Sequence, residues 1–112
     1  MNKSPLRTTV VGLREPGLAH AACVAGLPEN FTLAAGCDIS AEARAVFTSR
    51  FPAPAAYSDF GDMLARERPE VVVLATSETP RCALALQAVE SGVRGLYVEK
   101  PIAVSLGEAL RR

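Results

Sequence analysis

The stretch Thr8 to Gly17, "TTVVGLREPG", decides how the rest of the chain is read. A β-branched apolar run enters a glycine, and a second glycine follows five positions later. A run of this kind is a buried strand, and a glycine at its end permits a sharp turn into a helix. The spacing is that of a G-x-G-x-x-G loop, in which a helix N-terminus offers free N–H groups and a positive dipole end to a pyrophosphate. Two positions depart from it. Arg14 stands where the middle glycine would be, and Pro16 precedes Gly17. The Arg14 Cβ is expected to crowd the phosphates, its guanidinium to pair with one of them, and Pro16 to remove one amide donor. The predicted outcome is binding that survives but weakens. An ordinary strand-to-helix turn fits the loop, taken alone, equally well.

Working outward, the same alternation repeats. The first strand begins near Leu6, and a helix over Leu18–Ala25 stops at Gly26 and Pro28. "FTLAAGCD", Phe31 to Asp38, reads as a second strand. Ser40 then caps a helix with Ala43, Val46, Phe47 and Phe51 on one face, ended by Pro52 and Pro54. Ala55–Tyr57 is at most a short strand, and Asp59–Arg68 a helix with Phe60, Met63 and Leu64 inward. "EVVVLAT", Glu70 to Thr76, is continuously apolar, as in a parallel strand covered on both faces. Thr79 at an N-cap and Pro80 after it open a helix with a Cys82, Ala85, Leu86, Val89 stripe that Gly92 closes. "GLYVEKP" is a fifth strand running out into Pro101. Strands alternating with short helices mean right-handed crossovers, so the expected fold is a doubly wound α/β (Rossmann) parallel sheet of five strands in order 3-2-1-4-5. Ser105 to Glu108 reads as a capping box for a further helix cut short at Arg112, so the sheet is expected to be truncated at its last helix.

Composition sets the limits. The 112 residues are one domain's worth, 49% hydrophobic and 21% charged, which is a globular balance. Twelve bases and twelve acids leave no positive excess to draw nucleic acid. Apolar runs stop at five or six residues, far short of the roughly 20 of a membrane helix. The N-terminus lacks the apolar core of a secretory signal. Cys23, Cys37 and Cys82 are odd in number with no C-x-x-C pair, which reads as reduced thiols in a cytoplasmic protein. With the single histidine, His20, no metal site is expected, and His20 itself reads as structural.

Three strand ends carry the chemistry. Asp38 closes the second strand 21 residues after Gly17, close to the roughly 20 expected of a carboxylate that accepts ribose hydroxyls. Such a carboxylate repels a 2′-phosphate and so favours NAD over NADP. A local capping role fits Asp38 as well. Ala75, Thr76 and Ser77 leave the fourth strand at the carboxyl edge of the sheet, where open α/β sheets bind ligands. Glu99, Lys100 and Pro101 leave the fifth strand at that edge; the proline keeps Lys100 extended, so its ammonium points either over the cleft or into solvent.

"VVGLREPGLAHA", "AGCDIS", "YSDFGDML", "PEVVVLATSETP", "ALALQAVESGV" and "VEKPIAVSLGEA", taken in order, resemble the N-terminal domain of the glucose-fructose oxidoreductase/inositol dehydrogenase/MocA (Gfo/Idh/MocA) family over nearly the whole chain. The resemblance implies NAD(P)-dependent oxidation of a hydroxyl, or reduction of a carbonyl, on sugars, polyols and related small molecules. It implies that Gly12, Leu13, Arg14 and Gly17 border the pyrophosphate and that Asp38 and Ile39 meet the adenosine. Ala75, Thr76 and Ser77 would line the cofactor's path, with Glu99 and Lys100 at the nicotinamide and Lys100 as the catalytic group on the reacting oxygen. It also implies a second domain with the substrate pocket, most subunit contacts and an acid/base histidine, beyond this single domain over residues 1–112. Departures from the family pattern are Arg14 in the loop, and Ser77 and Arg81 where the family has proline and histidine. Open readings are therefore the cofactor domain of an NAD-dependent oxidoreductase, as a fragment or as one half of a split enzyme, a non-catalytic dinucleotide-binding module, and an inactive truncated remnant prone to self-association.

Overall fold

A computed structural model describes residues 4–76 and 78–98. The strands are β1 (Leu6–Val11), β2 (Phe31–Cys37), β3 (Ala55–Tyr57), β4 (Val71–Leu74) and β5 (Gly95–Val98). Between them lie α1 (Glu15–Ala25), α2 (Ala41–Arg50), α3 (Phe60–Glu67) and α4 (Glu78–Glu90). All four strand pairings are parallel, and the order is β3-β2-β1-β4-β5. The doubly wound sheet expected from the alternation is therefore the one observed. β1 is central, matching Val10 to Gly36 on one side and to Val73 on the other. One irregularity interrupts the β1–β2 register, between Thr8 and Thr9.

Two core layers flank the sheet, because side chains alternate across a strand. Val10 and Val73 face α1 and α2, where they pack with Leu13, Leu18, Ala21, Ala43 and Phe47. Val11, Val72 and Leu74 face α3 and α4, among Phe60, Met63, Leu64, Ala85 and Ala88. β4 thus buries both faces, as its unbroken apolar run demands. The sheet's amino edge is tied by charge. Arg7 pairs with Glu67 at 2.7 Å, Glu67 accepts from the Tyr57 hydroxyl at 2.7 Å, and Glu70 accepts from the Arg7 amide at 2.9 Å.

Several boundaries differ from the sequence reading. α1 starts at Glu15, three residues earlier than expected, with Pro16 in its first turn. Proline is tolerated there because first-turn amides have no intrahelical acceptor. α4 likewise starts at Glu78, so Thr79 and Pro80 lie inside it. Its inward stripe is Ala85 and Ala88 with Leu84 alongside, whereas Leu86 and Val89 are exposed. Ala85 is thus inward as expected, and the Cys82 side chain lies outside the described residues. The two alanines let the helix approach the sheet closely, which turns the bulkier Leu86 and Val89 outward. Val46 on α2 is also exposed, with Ala43 and Phe47 alone fully inward. The expected helix after Ser105 lies outside the described residues. Among the described residues no helix is long and apolar enough to cross a membrane.

Candidate cofactor site

Gly12 leaves β1 at φ +93°, in the left-handed region that favours glycine. A Cβ there would lie 2.7 Å from the Ala75 carbonyl oxygen. A Cβ on Gly17 would overlap the carbonyl oxygen of Gly12. Backbone therefore packs on backbone at both ends of the loop, and the first turn of α1 lies directly against the end of β4. Between them Leu13 turns inward, 1% exposed, against Gly36 and Phe47. Its side chain anchors the loop from below.

Arg14 is the N-cap of α1, in extended backbone (φ −88°, ψ −169°) that any residue adopts, with its side chain exposed and making no capping bond. The arginine thus causes no backbone strain. Among the first-turn positions Pro16 has no N–H, which leaves the amides of Glu15 and Gly17 at the helix end. Glu15 places an acid in that turn as well.

Asp38, directly after β2, ties two loops together. One carboxylate oxygen accepts the Leu13 amide at 2.8 Å, and the other accepts the Ser40 amide at 2.8 Å. The second bond is an Asx turn, and Ser40 in turn caps α2 by accepting the Ala43 amide at 3.1 Å. A carboxylate offers about four acceptor positions, so these two bonds leave roughly one free on each oxygen. Local capping and acceptance of a ribose diol are therefore compatible. Beside it the thiol of Cys37 is 3% exposed. Its pKa is pushed up to about 11 by burial, with the charges of Asp38 and Asp59 adding and Arg44 opposing. Near neutral pH that keeps the thiol in its protonated, weakly nucleophilic form.

These groups meet in one cleft of about 590 Å³ at the carboxyl edge of the sheet. Its walls are Val11, Gly12 and Arg14 after β1; Cys37, Asp38, Ile39 and Ser40 after β2; Ser58 and Phe60 after β3; Ala75 and Thr76 after β4; and Leu84 of α4. Ile39, 89% exposed, stands over it as an apolar rim. The Thr76 hydroxyl is sheltered from water and has no hydrogen-bond partner among the described residues. A buried orphan hydroxyl is costly, which marks a place where a ligand's polar group fits. Of the residues singled out in the sequence, Gly12, Arg14, Asp38, Ile39, Ala75 and Thr76 share this cleft. Gly17 and Leu13 support it from beneath, Leu13 with its amide already bound to Asp38. Ser77, Glu99 and Lys100 lie outside the described residues. Sequence reasoning missed Ser40 as a wall, Ser58, Phe60 and Leu84, although Ser58 follows a strand at the same edge and that topological rule reaches it. Among the described residues no cluster of histidine, cysteine and carboxylate groups could hold a metal.

A parallel sheet whose central strand enters a glycine turn, a helix N-terminus beside the next strand's end, and a carboxylate closing β2 define a dinucleotide-binding Rossmann domain. The sequence matches the Gfo/Idh/MocA family model, described as an oxidoreductase family with an NAD-binding Rossmann fold, over residues 6–111. The chain belongs to that family. No curated protein matches the sequence significantly. Among solved structures, WlbA dehydrogenase from Bordetella pertussis, in complex with NADH and UDP-GlcNAcA, superposes with a TM-score of 0.84 at 26% identity over 96% of this chain and 32% of its own. Scyllo-inositol dehydrogenase from Lactobacillus casei, with bound NAD(H) and scyllo-inositol, has a TM-score of 0.82 at 18% identity, covering 96% and 33%. Myo-inositol 2-dehydrogenase from Lactobacillus plantarum has a TM-score of 0.83 at 18% identity, also covering 96% and 33%. The chain spans about one third of the length of these structures.

Proposed function

We propose that these residues form the cofactor domain of a dehydrogenase that oxidises a hydroxyl, or reduces a carbonyl, of a sugar, polyol or related small molecule, with NAD preferred over NADP. The observation that carries the reading is the Asp38 carboxylate, which faces the same cleft as the Gly12 turn and Thr76 while keeping acceptor capacity on both oxygens. In this reading Asp38 accepts the two ribose hydroxyls and repels a 2′-phosphate. The amides at the start of α1, with Arg14 beside them, take the pyrophosphate; Ile39 covers the adenosine; Ala75, Thr76 and Ser77 line the path towards the nicotinamide. NAD supplies the hydride acceptor or donor when bound. Lys100, with Glu99 beside it, hydrogen-bonds the reacting oxygen and stabilises the charge that develops there. This role rests on the Glu99-Lys100-Pro101 motif within the matched span. The substrate pocket belongs to the family's second domain, in the same polypeptide or a separate one. The polyol and nucleotide-sugar complexes among the structural neighbours support that substrate class.

Calorimetric titration with NAD and NADP tests the reading. Saturable NAD binding, weaker NADP binding, and a loss of about tenfold or more for NAD in Asp38→Ala are expected, as for one charge-assisted hydrogen bond. No binding up to millimolar NAD refutes it. A second reading, a dinucleotide-binding module without turnover, is favoured by Pro16 and Glu15, which leave the helix end one amide short and one acid richer. NAD binding without hydride transfer across a panel of inositols, sugars and nucleotide sugars, in the longest polypeptide that carries these residues, selects it.

A further inference from the structure

We infer that Arg44 is a positioning residue for the adenosine end of the cofactor cleft, acting through Asp38 and Ile39; the inference rests on the reading of Asp38 as the ribose acceptor. Arg44 lies in α2, and its guanidinium reaches back to the turn after β2. Nη1 donates to the Asp38 carbonyl at 2.8 Å and to the Ile39 carbonyl at 3.1 Å. The side chain is half-buried, and among the described residues no carboxylate pairs with it. A guanidinium can form bidentate carboxylate pairs, yet this one binds two neutral carbonyls of consecutive residues.

The consequence is geometric. Drawing both carbonyls towards α2 fixes the two peptides that follow Asp38 and Ile39, and those peptides set the direction of both side chains. Asp38 then faces Leu13 and the cleft, and Ile39 stands out over the rim. Without Arg44 the turn would be held chiefly by the Asp38 carboxylate on Leu13 and Ser40, the same oxygens that a ribose must share. With Arg44 the backbone is held from behind, and the carboxylate's remaining lone pairs stay aimed outward. The Asp38 amide, donated to the Tyr57 carbonyl at 3.0 Å, anchors the start of the turn but not its exit.

The test is a double-mutant cycle on the chain, titrated with NAD and with ADP-ribose. Arg44→Met is expected to weaken both by the same factor of about ten, because the affected half is the adenosine half. Arg44→Lys, which can still reach one carbonyl, is expected to recover most of that loss. In the Asp38→Ala background, Arg44→Met should add less than about a twofold change, since coupled residues are non-additive. Equal losses in both backgrounds, or an Arg44→Met chain that binds NAD as the parent does, overturn the positioning role while Asp38→Ala still reports on the ribose reading. If Asp38→Ala leaves NAD affinity unchanged, the ribose reading fails and this inference falls with it. Should Arg44→Met not fold, Arg44→Gln carries the same cycle, with Arg44→Lys as its conservative control.

Discussion

Thr8 and Thr9 sit side by side in the central strand, 1% and 0% exposed, and differ in one respect. The Thr8 hydroxyl donates to the Leu6 carbonyl at 3.0 Å, whereas the Thr9 hydroxyl is buried with no partner among the described residues. A buried unsatisfied hydroxyl costs about 1–3 kcal/mol, and a methyl in its place removes that cost while adding apolar burial. Thr9→Val keeps the β-branched shape that suits a strand, so we expect it to stabilise the chain by about 1–2 kcal/mol. At roughly 4–8 °C per kcal/mol for a domain near this size, the melting temperature should rise by about 5–15 °C. Thr8→Val is the internal control. It breaks a made bond and leaves the Leu6 carbonyl short of one donor, so it should be neutral or destabilising by about 1 kcal/mol. Both variants are measured by urea unfolding, with equal m-values as the check that only stability changed. A Thr9→Val chain that is less stable than the parent, or one that shifts as Thr8→Val does, would refute the reasoning. The Thr9 hydroxyl would then have a partner or water that its surroundings do not show.

Gly17→Ala drives a methyl into the Gly12 carbonyl and must displace the loop that Asp38 holds; a loss of about 2–4 kcal/mol in urea unfolding, together with loss of NAD binding, is expected. Tyr57 donates to Glu67, and that bond raises its pKa above the ordinary phenol value. Because the folded value is the higher one, this stabilisation is complete below the unfolded pKa of about 10 and is lost as pH climbs through the folded value. In a Tyr97→Phe background, ultraviolet titration should show Glu67→Gln moving the Tyr57 midpoint downward; an unchanged midpoint rules out the bond as its cause. Cys37 should resist thiol reagents in the native chain near pH 8, while exposed Cys23 reacts, and peptide mapping after urea treatment should show Cys37 labelled. Native labelling of Cys37 would mean that the strand end opens.

Much of the sheet could be read from Val71 to Leu74, because a strand buried on both faces carries no polar positions and resembles nothing else. Asp38 was legible for a similar reason: its distance from the glycine loop is set by one helix and one strand. Helix starts were less so. The sequence pattern starts α1 at Leu18 and puts the N-cap of α4 at Thr79, yet Pro16 and Pro80 both lie inside a first turn, where a missing amide is harmless. On α4 the periodicity places Ala85 inward correctly but adds Leu86 and Val89, whereas close approach to the sheet favours Ala88. Arg44 was invisible because its work is done on carbonyl groups, which every residue possesses and no residue type announces. The bond that the Asp38 carboxylate accepts from the Leu13 amide was hidden likewise, since it joins residues 25 apart through a backbone donor.

The parallel register has a consequence for the order in which the chain assembles. β1 cannot be completed by anything near it in sequence: Thr8 pairs with Leu33 on one side and with Val71 on the other. During synthesis at about 5–20 residues per second, the first strand is exposed to solvent for seconds before β4 leaves the ribosome. Until then Val10 and Val11 lack their β4 partners Val73 and Leu74, and the Gly12 turn lacks the Ala75–Thr76 peptide against which it closes. The β1–β2 half can form earlier, around Leu13 and Phe47, but the cleft waits for the long crossover through α3. A nascent chain arrested before Val71 should therefore hold its adenosine turn in place and still have no wall opposite it.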